Sequence, residues 1–376
     1  MSKEKPPGVS RRNSRTARPA NLPTGNPQSR RSGGPNAENT MILGPVSYLD
    51  LIELPVSFVR ERWLRAPEKR SLFVQKATPF EDFVIRCVRY AFANIPAWIG
   101  RVFFSRAVAQ PFLKFRMLRH GFLTCPIHWR EHQEDSFKGI WAVRHPRSKP
   151  DIVLYYIHGG GFSMGSSYFY LEFLLTWLSV LVSAGYENPA IFALEYTLVP
   201  DAYYPTQLHE AKAAYRHVLE VAGDPSIVCI SGDSAGAMLA LSLLLHLADE
   251  RFDGADGGRP LPKPALATLI SPWVTLVSDR ENTTESDYLD VHQLNKYGRL
   301  FAGDSISEMD PLVSPGCCKD ISWWKRASPL RGIFITYGND EILAPDIEGL
   351  IRILGEAGVV VGDQVARPRD SKGWKL

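Results

Sequence analysis

The sequence lacks most of the features that would mark a secreted or nucleic-acid-binding protein. Its five cysteines form an odd set with no Cys-x-x-Cys pair, so no disulfide framework is implied. The formal net charge is only +3, which gives no overall signal for nucleic acid. No apolar run lies near the first residues, so we expect no cleaved secretory signal. Internal repeats are also absent, and the 45% share of apolar residues is that of a globular chain.

Residues 1–40 contain almost no large apolar side chains and are rich in Pro, Gly, Ser, Asn and Arg. Such a segment cannot bury enough surface to offset the entropy that it would lose on ordering. We therefore predict a disordered, basic tail.

Residues 41–120 mix apolar and aromatic side chains with recurrent arginines. No stretch of about eighteen residues there is uninterruptedly apolar, which disfavours a membrane-spanning helix. The pattern predicts a lid of helices. The same arginines and aromatic residues would also suit a helix in the interface of an anionic membrane, and both interpretations stay open. The expected location is intracellular, in the cytoplasm or at the surface of the endoplasmic reticulum membrane.

The motif Gly232-Asp233-Ser234-Ala235-Gly236 follows the β-branched run Ile227 to Ile230 and precedes the apolar stretch Ala237 to Leu247. This order predicts a strand, a sharp turn and a helix. A serine on such a strained turn needs glycine or very small residues two positions before and after it. Ser234 is therefore the candidate nucleophile, and its neighbour Asp233 is expected to orient the loop.

A second motif, His158-Gly159-Gly160-Gly161, follows the strand-like run Ile152 to Ile157. Glycines let a backbone turn its amides toward a developing oxyanion. We predict an oxyanion hole formed by Gly160, Gly161 and Ala235, with His158 and Gly159 supporting the loop. A phosphate-binding loop is disfavoured, because no Gly-Lys-Ser/Thr follows and the glycines lack the G-x-G-x-x-G spacing.

Residues 121–361 alternate short apolar runs with helical segments, which predicts an α/β fold with a mostly parallel sheet covered by helices on both faces. Two strands near residues 125–131 and 138–144 are expected to open the sheet as an antiparallel pair. Residues 276–310 are polar, and we interpret them as an irregular second lid element.

The two motifs, in this order and each at a strand end, resemble the hormone-sensitive-lipase-like branch of α/β hydrolases. Further segments agree with that branch, namely Glu195 to Pro200, Ser271 to Val274 and Asp310 to Leu312. Tyr204 to His209 and Ser314 to Cys318 with Trp323-Trp324 are similar to fungal steryl acetyl hydrolase-like members. The resemblance implies the α/β-hydrolase fold, a helical cap formed by residues 41–120 over the active site, and a serine esterase without cofactor.

The resemblance also implies a triad acid after a later strand. Asp340 matches the Gly-x-Asp position of the family, and Glu341 is a neighbouring alternative. The triad histidine should follow the eighth strand, yet none of the nine histidines lies after Asp340. We therefore expect a nearly inactive polypeptide as written. Residues 362–376 are an atypical tail, which indicates either a truncated or mis-spliced gene model or a true inactive relative.

Other histidine patterns have structural explanations. His128-Trp129-Arg130-Glu131-His132 spells H-x-x-E-H, a zinc-peptidase pattern, but the motif requires a helix and this segment reads as a strand. We expect no metal site from it. His292 lies in the predicted lid, and it is the residue to examine as a base in place of the missing triad histidine.

The sequence thus predicts hydrolysis of acetyl or short-acyl esters of bulky apolar alcohols, such as sterols, through Ser234. A general short-chain carboxylesterase or lipase is the nearest alternative. A non-catalytic protein of the same fold that binds apolar ligands belongs to a different class. No nucleic-acid partner is expected, a membrane surface is one candidate partner, and the oligomeric state is left open.

Overall fold

The computed structural model describes residues 48–125, 127–249, 260–280 and 286–366, with side chains from residue 54 onward. The predicted tail, residues 1–40, and residues 367–376 lie outside the described residues. The strands are β1 His128–Gln133, β2 Lys138–Val143, β3 Ile152–Ile157, β4 Pro189–Leu194, β5 Val228–Asp233, β6 Leu266–Ile270, β7 Ile333–Gly338 and β8 Val361–Ala366. The α-helices are α1 Tyr48–Val59, α2 Leu72–Lys76, α3 Pro79–Asn94, α4 Ala97–Phe104, α5 Arg106–Arg119, α6 Leu171–Ser183, α7 Thr206–Ala222, α8 Ser234–Leu247, α9 Val291–Ala302, α10 Ile321–Ala327 and α11 Ala344–Glu356.

The strands form one sheet in the order β1-β2-β4-β3-β5-β6-β7-β8. The pairs β1–β2 and β2–β4 are antiparallel, and all later pairs are parallel. The predicted mostly parallel sheet with an antiparallel opening pair is therefore confirmed. Because parallel strands point the same way, the loops that follow β3, β5, β6 and β7 meet at one edge of the sheet.

Alternate residues of β3 belong to two different buried clusters. Val153 and Tyr155 pack with α7 and α8, whereas Leu154 and Tyr156 pack with α6. Since successive strand residues point to opposite faces, the sheet is covered on both sides. This explains why every residue of β3 and β4 is buried.

A buried carboxylate holds α3 to the residues that follow α1. Asp82 of α3 is fully buried and pairs with Arg62 at 3.2 Å and with Arg86 at 2.6 Å. Thr78 and Glu81 form a capping box that starts α3. Within the described residues, no helix is both long enough and apolar enough to cross a bilayer.

Two sequence interpretations differ from the structure. The segment 276–310 contains α9, whose buried Val291, Leu294 and Tyr297 follow a helical period that the polar residues between them obscured. The sequence assigns residues 362–376 to an atypical tail, but the strand β8, Val361–Ala366, extends into that segment. Backbone pairing with β7 extends it, because the ladder needs no apolar side chains at a sheet edge.

Candidate active site

Ser234 stands at the turn between β5 and α8. Its φ of 47° lies in the left-handed region, where a residue with a side chain is strained. A Cβ at Gly232 would lie 2.7 Å from the carbonyl oxygen of Ile157, and a Cβ at Gly236 would overlap the same oxygen. The Ser234 hydroxyl makes no hydrogen bond to any described residue. The motif therefore builds the strained, close-packed turn that a nucleophile elbow requires.

The glycine loop after β3 lies against this turn. Gly160 and Gly161 have φ values of 112° and 61°, and a Cβ at Gly160 would overlap the carbonyl oxygen of Met164. Neither glycine donates its amide to another group of the described residues. Ala235 lies in the first turn of α8, where helical N–H groups have no intrahelical acceptor. These three amides are donors of the kind that hold a developing oxyanion.

The Asp233 carboxylate ties the glycine loop to the nucleophile turn. Its Oδ1 accepts hydrogen bonds from the Gly159 amide at 2.8 Å and from the Tyr156 hydroxyl at 2.7 Å. Its Oδ2 accepts one from the Tyr170 hydroxyl at 2.7 Å. Burial raises the pKa of Asp233, and the hydrogen bonds offset only part of that effect.

His158 is held against the same loop. Its Nδ1 lies 2.7 Å from the carbonyl oxygen of Gly159, and its ring stacks on Tyr196 with ring centroids 4.3 Å apart. The Tyr196 hydroxyl donates to the His158 carbonyl at 3.0 Å. The imidazole Nε2 is buried and makes no hydrogen bond within the described residues. These contacts commit the ring to the loop backbone.

The two acid candidates after β7 differ sharply in their surroundings. Asp340 is half-buried, and its carboxylate has only a 3.4 Å contact from the Ser286 hydroxyl and a 3.2 Å one from Asn339 Nδ2. Glu341 Oε1 accepts from the Ser271 hydroxyl at 2.8 Å and from the Gly338 amide at 2.7 Å.

The other oxygen of Glu341 is the unusual feature. Oε2 is buried and has no hydrogen-bond partner among the described residues. Burial raises the pKa of Glu341, the two hydrogen bonds to Oε1 lower it, and the charge of Asp287 raises it further. A buried acceptor without a donor costs about 1–3 kcal/mol. The position therefore suits a donor N–H that the described residues do not provide.

No histidine in the described parts of the chain hydrogen-bonds to Ser234 or to Glu341. His292, the residue named for a base, is an exposed residue of α9. The adjacent Gln293 points instead toward α3, where its amide donates to the Ala93 carbonyl.

Arg101 of α4 fastens the N-terminal helices to the site, a contact that the sequence patterns did not indicate. Its Nε donates to the Ser163 carbonyl at 3.0 Å, and its Nη2 donates to the Val199 carbonyl. Its Nη1 pairs with Asp201 at 2.9 Å. The only signal in the sequence was an arginine among apolar residues, and from that pattern its hydrogen-bond acceptors cannot be inferred.

The H-x-x-E-H pattern lies on strand β1 and not on a helix, as expected. One of its residues nevertheless joins a group that could hold a metal ion, since ligand atoms of His132, Glu134 and His217 lie within 4.8 Å of one another. The Trp141 Nε1–H donates to His217 Nε2 at 3.2 Å. A neutral His217 therefore carries its proton on Nδ1, which faces Glu134 Oε1 at 3.2 Å. This favours a hydrogen-bonded cluster over a metal site.

Comparison with known proteins agrees with this architecture. A family model described as alpha/beta hydrolase fold matches residues 154–367. A hormone-sensitive lipase from a metagenome library superposes with a TM-score of 0.60 at 24% identity, covering 78% of this chain and 89% of that one. At this identity the structural match shows the fold.

Two curated relatives carry names of hydrolases. An acetyl-hydrolase of Streptomyces hygroscopicus is 32% identical over 223 residues, which are 57% of this chain and 66% of the relative. Steryl acetyl hydrolase 1 of Saccharomyces cerevisiae is 27% identical over 208 residues, which are 52% of this chain and 46% of the relative. The chain thus spans less than two thirds of the length of both relatives.

Proposed function

Because the chain belongs to the alpha/beta hydrolase fold family, we propose that it hydrolyses carboxylic esters with Ser234 as the nucleophile. One observation carries the proposal: Ser234 stands on a strained turn beside a glycine loop whose Gly160 and Gly161 amides have no acceptor among the described residues. The names of the two curated relatives support the same chemistry.

In the proposed reaction, the Ser234 oxygen attacks the ester carbonyl carbon and its proton passes to a base. The carbonyl oxygen becomes an oxyanion that the amides of Gly160, Gly161 and Ala235 hold. Collapse of this intermediate expels the alcohol with the proton and leaves an acyl-serine ester. Water then cleaves that ester, releasing the carboxylic acid and restoring the Ser234 hydroxyl. The scheme calls for no cofactor.

We favour Glu341 over Asp340 as the acid that would orient the base. The support is the pair of hydrogen bonds that fix Glu341 Oε1, together with the buried, unpaired Oε2. An imidazole N–H at Oε2 would satisfy that oxygen and stabilise an imidazolium, as the acid of a serine triad does. Asp340 lacks comparable anchoring.

The base is the part of the triad that the printed sequence does not supply after Asp340. Without a base the serine hydroxyl stays protonated and is a poor nucleophile. In subtilisin, loss of the histidine lowers turnover by about a millionfold. We therefore expect very slow turnover by a polypeptide of these 376 residues.

We further propose acetyl or short-acyl esters of bulky apolar alcohols, such as sterols, as the substrate class. The support is the name of the yeast relative, a steryl acetyl hydrolase. A location at the endoplasmic reticulum membrane stays a prediction from the sequence.

Two alternatives accompany this proposal. A general short-chain carboxylesterase or lipase would use the same groups and differ in the alcohol that it accepts. A non-catalytic, ligand-binding protein is favoured by a different observation, namely that no histidine hydrogen-bonds to Ser234 or Glu341 within the described residues. The catalytic and the non-catalytic alternatives differ in whether Ser234 reacts when a base is supplied.

Imidazole can supply that base from solution. We expect a fluorophosphonate probe to label the full chain slowly and to label it faster when imidazole is added. Ser234→Ala should abolish both reactions, and hydrolysis of steryl acetate against a short p-nitrophenyl ester would then compare the alcohols. Labelling of the Ser234→Ala protein, or no effect of imidazole on the wild type, would favour the non-catalytic alternative.

A further inference from the structure

The outer side of helices α4 and α5 exposes large apolar side chains that no described residue covers. We call this surface the α4–α5 face. Trp98, Val102, Phe103, Phe112, Phe115 and Leu118 are each 53–59% exposed. Single exposed apolar residues are ordinary, but a set this dense on two consecutive helices marks an interaction surface.

The spacing on α5 shows that the exposure has a direction. Val108, Phe112 and Phe115 recur at i, i+4 and i+7 and lie on one side of the helix, with the cation Arg119 four residues further along the same side. Ala109 and Leu113 are buried on the other side. Helix α5 therefore has two apolar stripes, one packed against the protein and one turned to solvent. The solvent-facing stripe has the character of the apolar face of a helix that lies in a membrane interface.

The charged side chains that α4 and α5 themselves carry have a single sign. Residues 97–123 contain no Asp or Glu and five Arg or Lys residues. Arg101, Arg106 and Arg116 pair with acidic residues of other segments. Lys114 and Arg119 are exposed and have no ion pair with a described residue.

The charge decides between three candidate occupants of the α4–α5 face. Residues 1–47 contain no Phe, Trp or Tyr and carry eight cations against two anions, so they bring neither aromatic side chains nor opposite charge. A second copy of the same face would bring like charges together. An anionic lipid bilayer offers apolar acyl chains beneath a negative headgroup layer, and it complements both properties.

We propose that the α4–α5 face docks on the surface of anionic lipid bilayers. The other side of α4 contacts the glycine loop: Arg101 donates to the Ser163 carbonyl, and the Phe104 carbonyl accepts from the Ser166 hydroxyl. Docking therefore places the loop close to the lipid phase, where apolar esters partition. Lipid binding itself does not depend on the proposed esterase activity.

Flotation of the full chain with phosphatidylcholine vesicles, with and without phosphatidylserine, tests the proposal. We expect binding to the serine-lipid vesicles that weakens with added salt, and little binding to the neutral ones. Lys114→Glu with Arg119→Glu should weaken binding by at least about 30-fold, since each cation near an anionic surface contributes roughly fivefold. Equal binding to both vesicle types, or no binding to either, would overturn the proposal.

Matched variants distinguish binding through the α4–α5 face from non-specific binding through other exposed apolar residues. Phe112→Glu with Phe115→Glu should abolish flotation. Leu330→Glu with Val360→Glu removes apolar side chains that are 64% and 70% exposed elsewhere, and it should leave flotation unchanged. Loss of binding in both double variants alike would contradict the proposal.

The basic residues before α1 need their own control. Replacing Arg11, Arg12, Arg30 and Arg31 together by Glu should leave flotation within about twofold, because the headgroup attraction of the face is local. A complete loss in this variant would assign binding to that segment and overturn the proposal. Fluorophosphonate labelling of Ser234 without vesicles reports the esterase proposal separately.

Discussion

The nucleophile side and the acid side of the candidate site differ in how fully their polar groups are paired. Around Ser234, the Asp233 carboxylate receives three hydrogen bonds that lock the glycine loop in place. After β7, Glu341 has one oxygen fixed and the other buried without a donor. Both oxygens of Asp233 are therefore paired, whereas Glu341 keeps one buried oxygen for which the described residues offer no donor.

The strain on the nucleophile side should give the largest effect. A Cβ at Gly236 would overlap the Ile157 carbonyl, so Gly236→Ala should lower the free energy of unfolding by about 3 kcal/mol or more. Gly349→Ala in α11 is the matched control, because no atom lies within 4 Å of its added Cβ. That change should stabilise by up to about 1 kcal/mol. Denaturant unfolding of both variants measures the difference; equal effects would contradict the close approach.

The hydrogen bonds to Asp233 should give a smaller effect. Tyr156→Phe removes one of three donors from a desolvated carboxylate and should cost about 1–3 kcal/mol in unfolding free energy. Tyr186→Phe alters a tyrosine that is 37% exposed and should change stability by less than about 0.5 kcal/mol. A Tyr156→Phe protein as stable as the wild type at neutral pH would show that this hydrogen bond contributes little to the free energy of unfolding.

The acid side should respond mainly through pH. Burial raises the pKa of Glu341 in the folded chain above its unfolded value, so the folded state binds the proton more tightly. Its contribution favours folding below the unfolded pKa and is lost as the pH rises through the folded pKa. Glu341→Gln removes this dependence, and its stability relative to the wild type should therefore increase from pH 4.5 to pH 7.

Asp340→Asn is the control for that pH series. Asp340 is half-buried and has only two long hydrogen bonds, so its replacement should change stability by less than about 0.5 kcal/mol at any pH. Unfolding free energies at several pH values check both variants. A larger pH dependence lost in Asp340→Asn than in Glu341→Gln would return Asp340 to the role of the acid.

The sequence predicted the sheet and the nucleophile turn because β-branched runs favour strands and glycines mark the positions where the backbone turns sharply. Ser234 and Gly160 could be located from spacing alone. The contacts of Tyr156, Tyr170 and Arg101 could not, since a tyrosine or arginine in an apolar run does not name its acceptor. The choice between Asp340 and Glu341 also needed coordinates, because both follow β7 and differ only in what surrounds them.

Arg101 also bears on how the protein could be engineered. The matched family segment begins at residue 154, yet the loop that would hold the oxyanion is braced by a guanidinium from α4. Residues 154–367 are therefore a poor module for transplantation. A chimera that exchanges the helices before β1 has to bring a cation to the Ser163 and Val199 carbonyls, or redesign that loop to hold its shape unaided.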